Sequence, residues 1–182
     1  LGAEVVTTSD PDLVASSPRV VLPGVGAFAP ARARLASSGL EEGLRAAVAG
    51  GARLLGLGLG FQLLFEASEE FGTTEGLGLL RGRVAPFLPG TRVPHVGWNR
   101  LETEGAAEGP LLAGLPRGSY VYFVHSFRPE GADPADVAAF CDYGGRFVAA
   151  ARCGNVWGCQ FHPEKSSGAG RRILSNFLAE AA

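Results

Sequence analysis

The chain has 182 residues, with 16 Lys+Arg against 18 Asp+Glu and a formal charge of −2. That length fits one compact domain, and the lack of a basic excess argues against nucleic acid as a partner. Three cysteines without CxxC spacing argue against a disulfide framework or a metal (zinc) site, and without a signal-peptide pattern or long apolar run a soluble, cytoplasmic protein away from membranes is expected.

In chain order, the β-branched run 3–8 predicts a first short strand, and 19–22 a second that ends at Pro23. Between them, Ser9-Asp10-Pro11 can cap a short helical turn. Leu22-Pro23-Gly24-Val25-Gly26 reads as a turn-rich loop after a buried strand. Apolar spacing over 31–49 (Leu35, Leu40, Leu44, Val48), broken at Ser37-Ser38-Gly39, predicts two short helices. Residues 53–57 read as an apolar strand, and 59–67 as the helix that follows at once. Alternating strands and helices predict parallel pairing with helices on both sheet faces. The second half is strand-rich, at 83–87, 98–102, 120–123, 137–143, 147–152 and 156–161. Gly144-Gly145 and Gly154-Asn155 are hairpin signals there. A last amphipathic helix is predicted over 168–180, with Ile173, Leu174, Phe177 and Leu178 on one face. The expected fold is one α/β domain over 1–182: a mixed, mainly parallel sheet flanked by helices, with an antiparallel extension.

Chemistry concentrates around three histidines: His95 in P-H-V-G-W-N, His125 in Y-F-V-H-S-F and His162 in Q-F-H-P-E-K-S. A single histidine among aromatics is ordinarily a satisfied, partly buried side chain. His162 and Glu164 stand out, because positions i and i+2 of an extended segment point to the same side. A carboxylate beside an imidazole fixes its tautomer and stabilises its cation. The partner such a pair requires is a nucleophile, typically at a strand-to-helix elbow of the form G-x-Nuc-x-G. Gly56-Leu57-Gly58-Leu59-Gly60 has that layout, with Gly58 at the centre and hence no side chain. A dinucleotide loop is disfavoured, since the spacing is G-x-G-x-G and no acidic residue follows a second strand. Of 16 basic residues, 15 are Arg and one is Lys165, so a compact ammonium is singled out at that position.

Five motifs together resemble a known family. They are L-P-G-V-G-A-F at 22–28, L-G-x-x-x-G-x-Q-L-L-F at 55–65, P-H-V-G-W-N at 94–99, Y-F-V-H-S-F at 122–127 and Q-F-H-P-E-K-S at 160–166. The chain resembles the glutamine amidotransferase subunits of imidazole glycerol phosphate synthase, which are class I (triad) amidotransferases of histidine biosynthesis. The resemblance implies a flavodoxin-like, class I amidotransferase fold, no cofactor, and glutamine as substrate. It implies His162 as general base and Glu164 as its orienter, with Gly58 at the nucleophilic cysteine's position. Gly24, Val25 and Gly26 match the oxyanion segment, whose backbone N–H is to face the developing charge. Gln62 and Glu70 match the side chains that hold glutamine, with neighbouring Glu69 an alternative for the second. Ser126 and Phe127 match backbone contacts to glutamine. Trp98, Asn99, Tyr122 and Lys165 match the interface with a cyclase (β/α)8-barrel partner, although core packing would equally account for Trp98 and Tyr122.

Two departures qualify these expectations. No thiol replaces Gly58, since Cys159 falls on the far strand face and Cys141 and Cys153 lie in the antiparallel part. Impaired glutaminase activity follows, leaving three readings: a glutaminase subunit by descent, a non-catalytic binding or regulatory subunit docked on the synthase, and a defective fragment. The chain also starts at Leu1 and has no Met, whereas the family pattern places a strand and a helix, roughly 20–25 residues, before this point.

Overall fold

The computed structural model of the protein describes residues 1–103 and 109–179. α1 (Pro11–Ser16) begins where Asp10 accepts the Asp12 N–H, with Pro11 in the first turn. β1 (Arg19–Gly24), α2 (Phe28–Ser37), α3 (Leu40–Ala49), β2 (Arg53–Gly58) and α4 (Leu59–Leu63) follow. Next come the two-residue strands β3 (Ala67–Ser68) and β4 (Thr74–Glu75), then β5 (Arg83–Pro86) and β6 (His95–Arg100). β7 (Tyr120–His125), β8 (Phe127–Glu130), β9 (Val137–Asp142), β10 (Arg146–Cys153), β11 (Val156–Cys159) and α5 (Ser167–Ala179) complete the order.

The central sheet runs β1-β2-β11-β10-β9. β1, β2 and β11 pair in parallel, while β10 is antiparallel to both its neighbours. β2 and β11 are the most apolar strands because both of their faces are covered. Leu55, Leu57 and Trp157 point to one core with Phe123, Ile173 and Phe177. Leu54 and Val156 point to the other, with Leu44, Leu59 and Phe61. This alternation is the strand period, and it places α5 on one side and α3 and α4 on the other. A four-stranded sheet (β4-β3-β5-β8) and the β6–β7 ribbon flank the central one.

Two glycine turns close hairpins as expected, at Gly144-Gly145 between β9 and β10 and at Gly154-Asn155 between β10 and β11. Other boundaries differ. Residues 3–8 form no strand: they are exposed and pair with no other strand among the described residues. A β-branched run becomes a strand only where a neighbour takes its hydrogen bonds. α4 stops at Leu63, and Ala67 turns into β3 alongside β5. β6 starts at His95 instead of Trp98, because its pairing with β7 begins at His95–His125. The predicted end of the last helix at residue 180 lies outside the described residues.

Glycines set the closest approach in the fold. A Cβ on Gly56 would sit 2.8 Å from the Gly60 carbonyl oxygen and the Phe61 Cα, and one on Gly60 would collide with the Leu22 carbonyl. Gly60→Ala is therefore expected to cost about 3 kcal/mol or more in urea denaturation. Gly168→Ala, where nothing lies within 4 Å, is expected to leave stability nearly unchanged.

Candidate active site

The site gathers at the ends of β1, β2 and β11. Gly58 ends β2 with φ 57 and ψ −115, a conformation in the left-handed half of backbone space that favours glycine. The chain reverses there into α4, so a side chain at Gly58 would stand out above the sheet. A Cβ at Gly58 would lie 3.2 Å from His162 Nε2. His162 follows β11 and is buried, and its Nδ1 lies 2.8 Å from Glu164 Oε1. The carboxylate can only accept, so Nδ1 carries the proton of the neutral ring and Nε2 presents its lone pair toward Gly58. The His162 backbone is clamped to β7: its N–H donates to the Tyr122 carbonyl at 2.9 Å. The Ser166 hydroxyl accepts from Tyr122 N–H at 3.0 Å and donates to the His162 carbonyl at 2.6 Å.

A cavity of about 230 Å³ opens beside this pair, lined among others by Gly24, Gln62, Glu70, Ser126, Phe127 and His162. Val25 and Gly26 also line it. Gln62 projects from α4 and donates from Nε2 to the Phe127 carbonyl (3.1 Å) and to Gln160 Oε1 (2.8 Å). Glu70 accepts the Phe28 N–H at 2.6 Å, at the start of α2 and just beyond the Gly24–Gly26 loop. Glu69 instead pairs with Arg83 at 3.0 Å, away from the cavity. The loop lies at the site, with a correction to its expected orientation. The Gly24 carbonyl oxygen lies 3.0 Å from the Cβ position of Gly58. In a trans peptide the Val25 N–H then points the opposite way. The polar group that this peptide presents nearest to Gly58 is thus the Gly24 carbonyl oxygen, an acceptor.

None of the three thiols lines this cavity. Cys159 and Cys141 are buried in the β7–α5 core, and burial pushes the Cys141 thiol up to about 12 and Cys159 well above its ordinary value. Cys153 is exposed, and its thiol too is pushed up, by burial and by Asp136. Among the described residues no group of three or more His, Cys, Asp or Glu side chains is placed to hold a metal ion. No helix there is long and apolar enough to cross a membrane.

Trp98, Tyr122 and Lys165 lie together on one face of the β6–β7 ribbon and the turn after His162, while Asn99, expected with them, turns to the His95 side. Val96 faces Val124 and Trp98 faces Tyr122 across the ribbon. Val96, Trp98 and Tyr120 are each more than half exposed. Trp98 and Tyr122 meet edge to face at 6.2 Å, and Lys165 Nζ sits 5.8 Å from the Tyr122 ring centre. Asn99 points to the other edge, donating to the Asp142 carbonyl at 3.2 Å. Motif reading missed Gln160, which holds Gln62, and the contact of His125 with His95 at 2.9 Å. Its signal was available as the residue opening Q-F-H-P-E-K-S and the histidines of the two ribbon motifs.

A strand-to-helix elbow, an acid-oriented histidine over it and a glycine loop alongside define a class I glutamine amidotransferase architecture. The glutamine amidotransferase class-I family model matches residues 3–181. Solved structures agree in fold: a glutamine amidotransferase crystal structure superposes with a TM-score of 0.73 at 21% identity, covering 98% of this chain and 88% of that one. PurLQS from Thermotoga maritima gives 0.64 at 22%, covering 87% and 78%. The chain belongs to the family of imidazole glycerol phosphate synthase HisH subunits within that class. It is 49% identical to that subunit of Methylococcus capsulatus, over 97% of this chain and 84% of the relative. For the subunit of Rhodopirellula baltica the figures are 46%, 97% and 85%.

Burial pushes His95 down to about 4 and His125 to about 3. The unfolded chain takes up both protons below about pH 6.5, while the native state refuses them until lower pH. Stability therefore falls as pH drops from 6.5 toward 4. The urea midpoint is expected to decrease between pH 7 and pH 5, and less steeply in His95→Phe.

Proposed function

We propose that the chain is the glutamine-binding subunit of an imidazole glycerol phosphate synthase, acting in the cytoplasm in histidine biosynthesis with a cyclase (β/α)8-barrel partner. The observation that carries this reading is the Gly58 position, 3.2 Å from an imidazole nitrogen whose ring is held by Glu164. Glutamine fills the cavity with its carboxamide over Gly58. One Glu70 oxygen accepts from Phe28, which leaves the other for the substrate ammonium. Gln62 and the backbone at Ser126 and Phe127 supply the remaining polar contacts.

In an amidotransferase of this class, a thiol at the elbow passes its proton to the imidazole. The thiolate adds to the carboxamide carbon, and ammonia leaves with a proton returned by the imidazole. Water then cleaves the thioester to glutamate and regenerates the thiol. His162 Nε2 is suited to both proton transfers and Glu164 to stabilising the cation between them. The carbonyl of Gly24 would have to turn away for the Val25 N–H to meet the oxyanion. Gly58 supplies no atom for the thioester, so the chain holds glutamine without hydrolysing it. That residue favours the non-catalytic reading of this subunit over an active glutaminase.

The exposed apolar face of the ribbon supports docking on the barrel, with Trp98 and Tyr122 as anchors and Lys165 as a cation for a partner carboxylate. Lys165→Glu is expected to weaken the complex about tenfold in titration calorimetry. With the barrel subunit bound, the chain is expected to bind glutamine and to release no glutamate above the uncatalysed background. Gly58→Cys is expected to raise glutamate release at least about a hundredfold. Equal release by both proteins would overturn the assignment of Gly58 as the vacant nucleophile position.

A further inference from the structure

His95 and His125 form the first register pair of the β6–β7 ribbon, and their side chains touch as well as their backbones. His125 Nδ1 lies 2.8 Å from the Phe127 carbonyl oxygen. A carbonyl only accepts, so this nitrogen carries the proton. In the neutral ring Nε2 is then bare, and it accepts from His95 Nδ1 at 2.9 Å. His95 Nε2 is bare in turn and faces Asn99 Nδ2 at 3.4 Å. The same Asn99 nitrogen donates to the Asp142 carbonyl, while Asn99 Oδ1 accepts from the Arg100 N–H at 2.7 Å. The orientation of every group is thus forced from both ends.

The surroundings keep both rings neutral. His95 is sandwiched between Tyr143, stacked at 3.9 Å, and Phe123, stacked at 4.8 Å. His125 lies among Phe87, Phe123 and Phe147. Both rings are buried, which disfavours their cations.

The far end of the chain is the wall of the cavity. The Phe127 carbonyl accepts from Gln62 Nε2 as well as from His125. Because Gln62 also donates to Gln160, both its amide hydrogens are committed. The amide can then offer only its oxygen to a ligand.

We propose that His125 and His95 are positioning residues for the cavity: a one-way hydrogen-bond chain, Asn99 to His95 to His125 to the Phe127 carbonyl, that fixes the place of this carbonyl, which in turn holds Gln62 by its amide N–H and leaves the Gln62 oxygen as the acceptor. Neither ring moves a proton in this role. The pair holds the carbonyl in place, and the carbonyl sets the polarity of the binding wall, matching it to the N–H groups of an amino-acid ligand instead of its carboxylate. The consequence for glutamine rests on the function proposed above, whereas the hydrogen-bond chain stands on the geometry alone.

Two measurements on the full chain test it. Nitrogen-15 NMR of the histidine rings at pH 7 is expected to find both His95 and His125 neutral and protonated on Nδ1. This is the less common tautomer, and packing alone does not require it. An Nε2-protonated or cationic ring at either position overturns the chain. Titration calorimetry with glutamine then compares the parent with His125→Phe and His125→Asn, each checked for its thermal midpoint. His125→Phe is expected to lose about tenfold in affinity. His125→Asn keeps a donor near the Nδ1 position and is expected to stay within about threefold of the parent. Equal affinity in the parent and His125→Phe overturns the positioning role. No binding by the parent instead defeats the glutamine reading of the cavity, and the ring tautomers alone then decide whether the chain exists.

Discussion

Everything at this site depends on how closely α4 lies on the strands beneath it. The contact is backbone against backbone, made possible by Gly24, Gly56 and Gly60, where a Cβ would sit at or within 3.0 Å of neighbouring atoms. Gly158 extends the same device to β11, where a Cβ would strike the Phe61 ring. Because β1, β2 and β11 are parallel and in register here, the close approach brings three strand ends to one point. Gly24, Gly58 and the stretch leading to His162 converge there. A helix held even one side-chain width higher would separate the elbow from the imidazole and the loop. Such tight contacts dominate the geometry because closely packed interiors have little room to adjust.

The β6–β7 ribbon ties this centre to the molecular surface through strict alternation. Its inward residues, His95, Phe123 and His125, pack on the core, and on its outward side Val96, Trp98 and Val124 are exposed and Tyr122 half-buried. The backbone of Tyr122 holds both the N–H of His162 and, through Ser166, its carbonyl. One strand therefore carries part of an exposed aromatic face and also supports the His162–Glu164 pair. A displacement of the ribbon would reach the imidazole directly, without an intervening loop.

Much of the site was legible in the sequence, because its chemistry is local. The H-x-E spacing predicts a same-side pair on an extended segment; the pair is present at 2.8 Å, but Glu164 reaches it from the 3-10 turn Pro163–Lys165 that follows His162, not from a strand. G-x-G-x-G between an apolar strand and a helix predicts an elbow, and Gly58 occupies one. The central strands and both hairpin turns were readable for the same reason: period and turn residues act over a few positions. What escaped depends on distant partners. Residues 3–8 have strand composition but meet no neighbour, and β8 includes Pro129 yet pairs with β5. Choosing between Glu69 and Glu70 required knowing which of them faces Arg83. The orientation of the Gly24 peptide and the links of Gln62 to Gln160 and of His95 to His125 are tertiary facts that no motif encodes.

The backbone at Gly58 carries a last consequence. Its φ of 57 and ψ of −115 would strain a residue with a Cβ, by about 1–3 kcal/mol, and a glycine there is relaxed. Exchange of a nucleophile for glycine at an elbow is thus downhill in folding free energy, and the return is uphill. The surrounding glycine contacts keep the turn in place whether or not a side chain occupies it. The shape of such a site is stored in its frame, so it can outlast the reaction that first required it. Losing the chemistry is easy for a fold of this kind, while losing the pocket would demand rebuilding three strands.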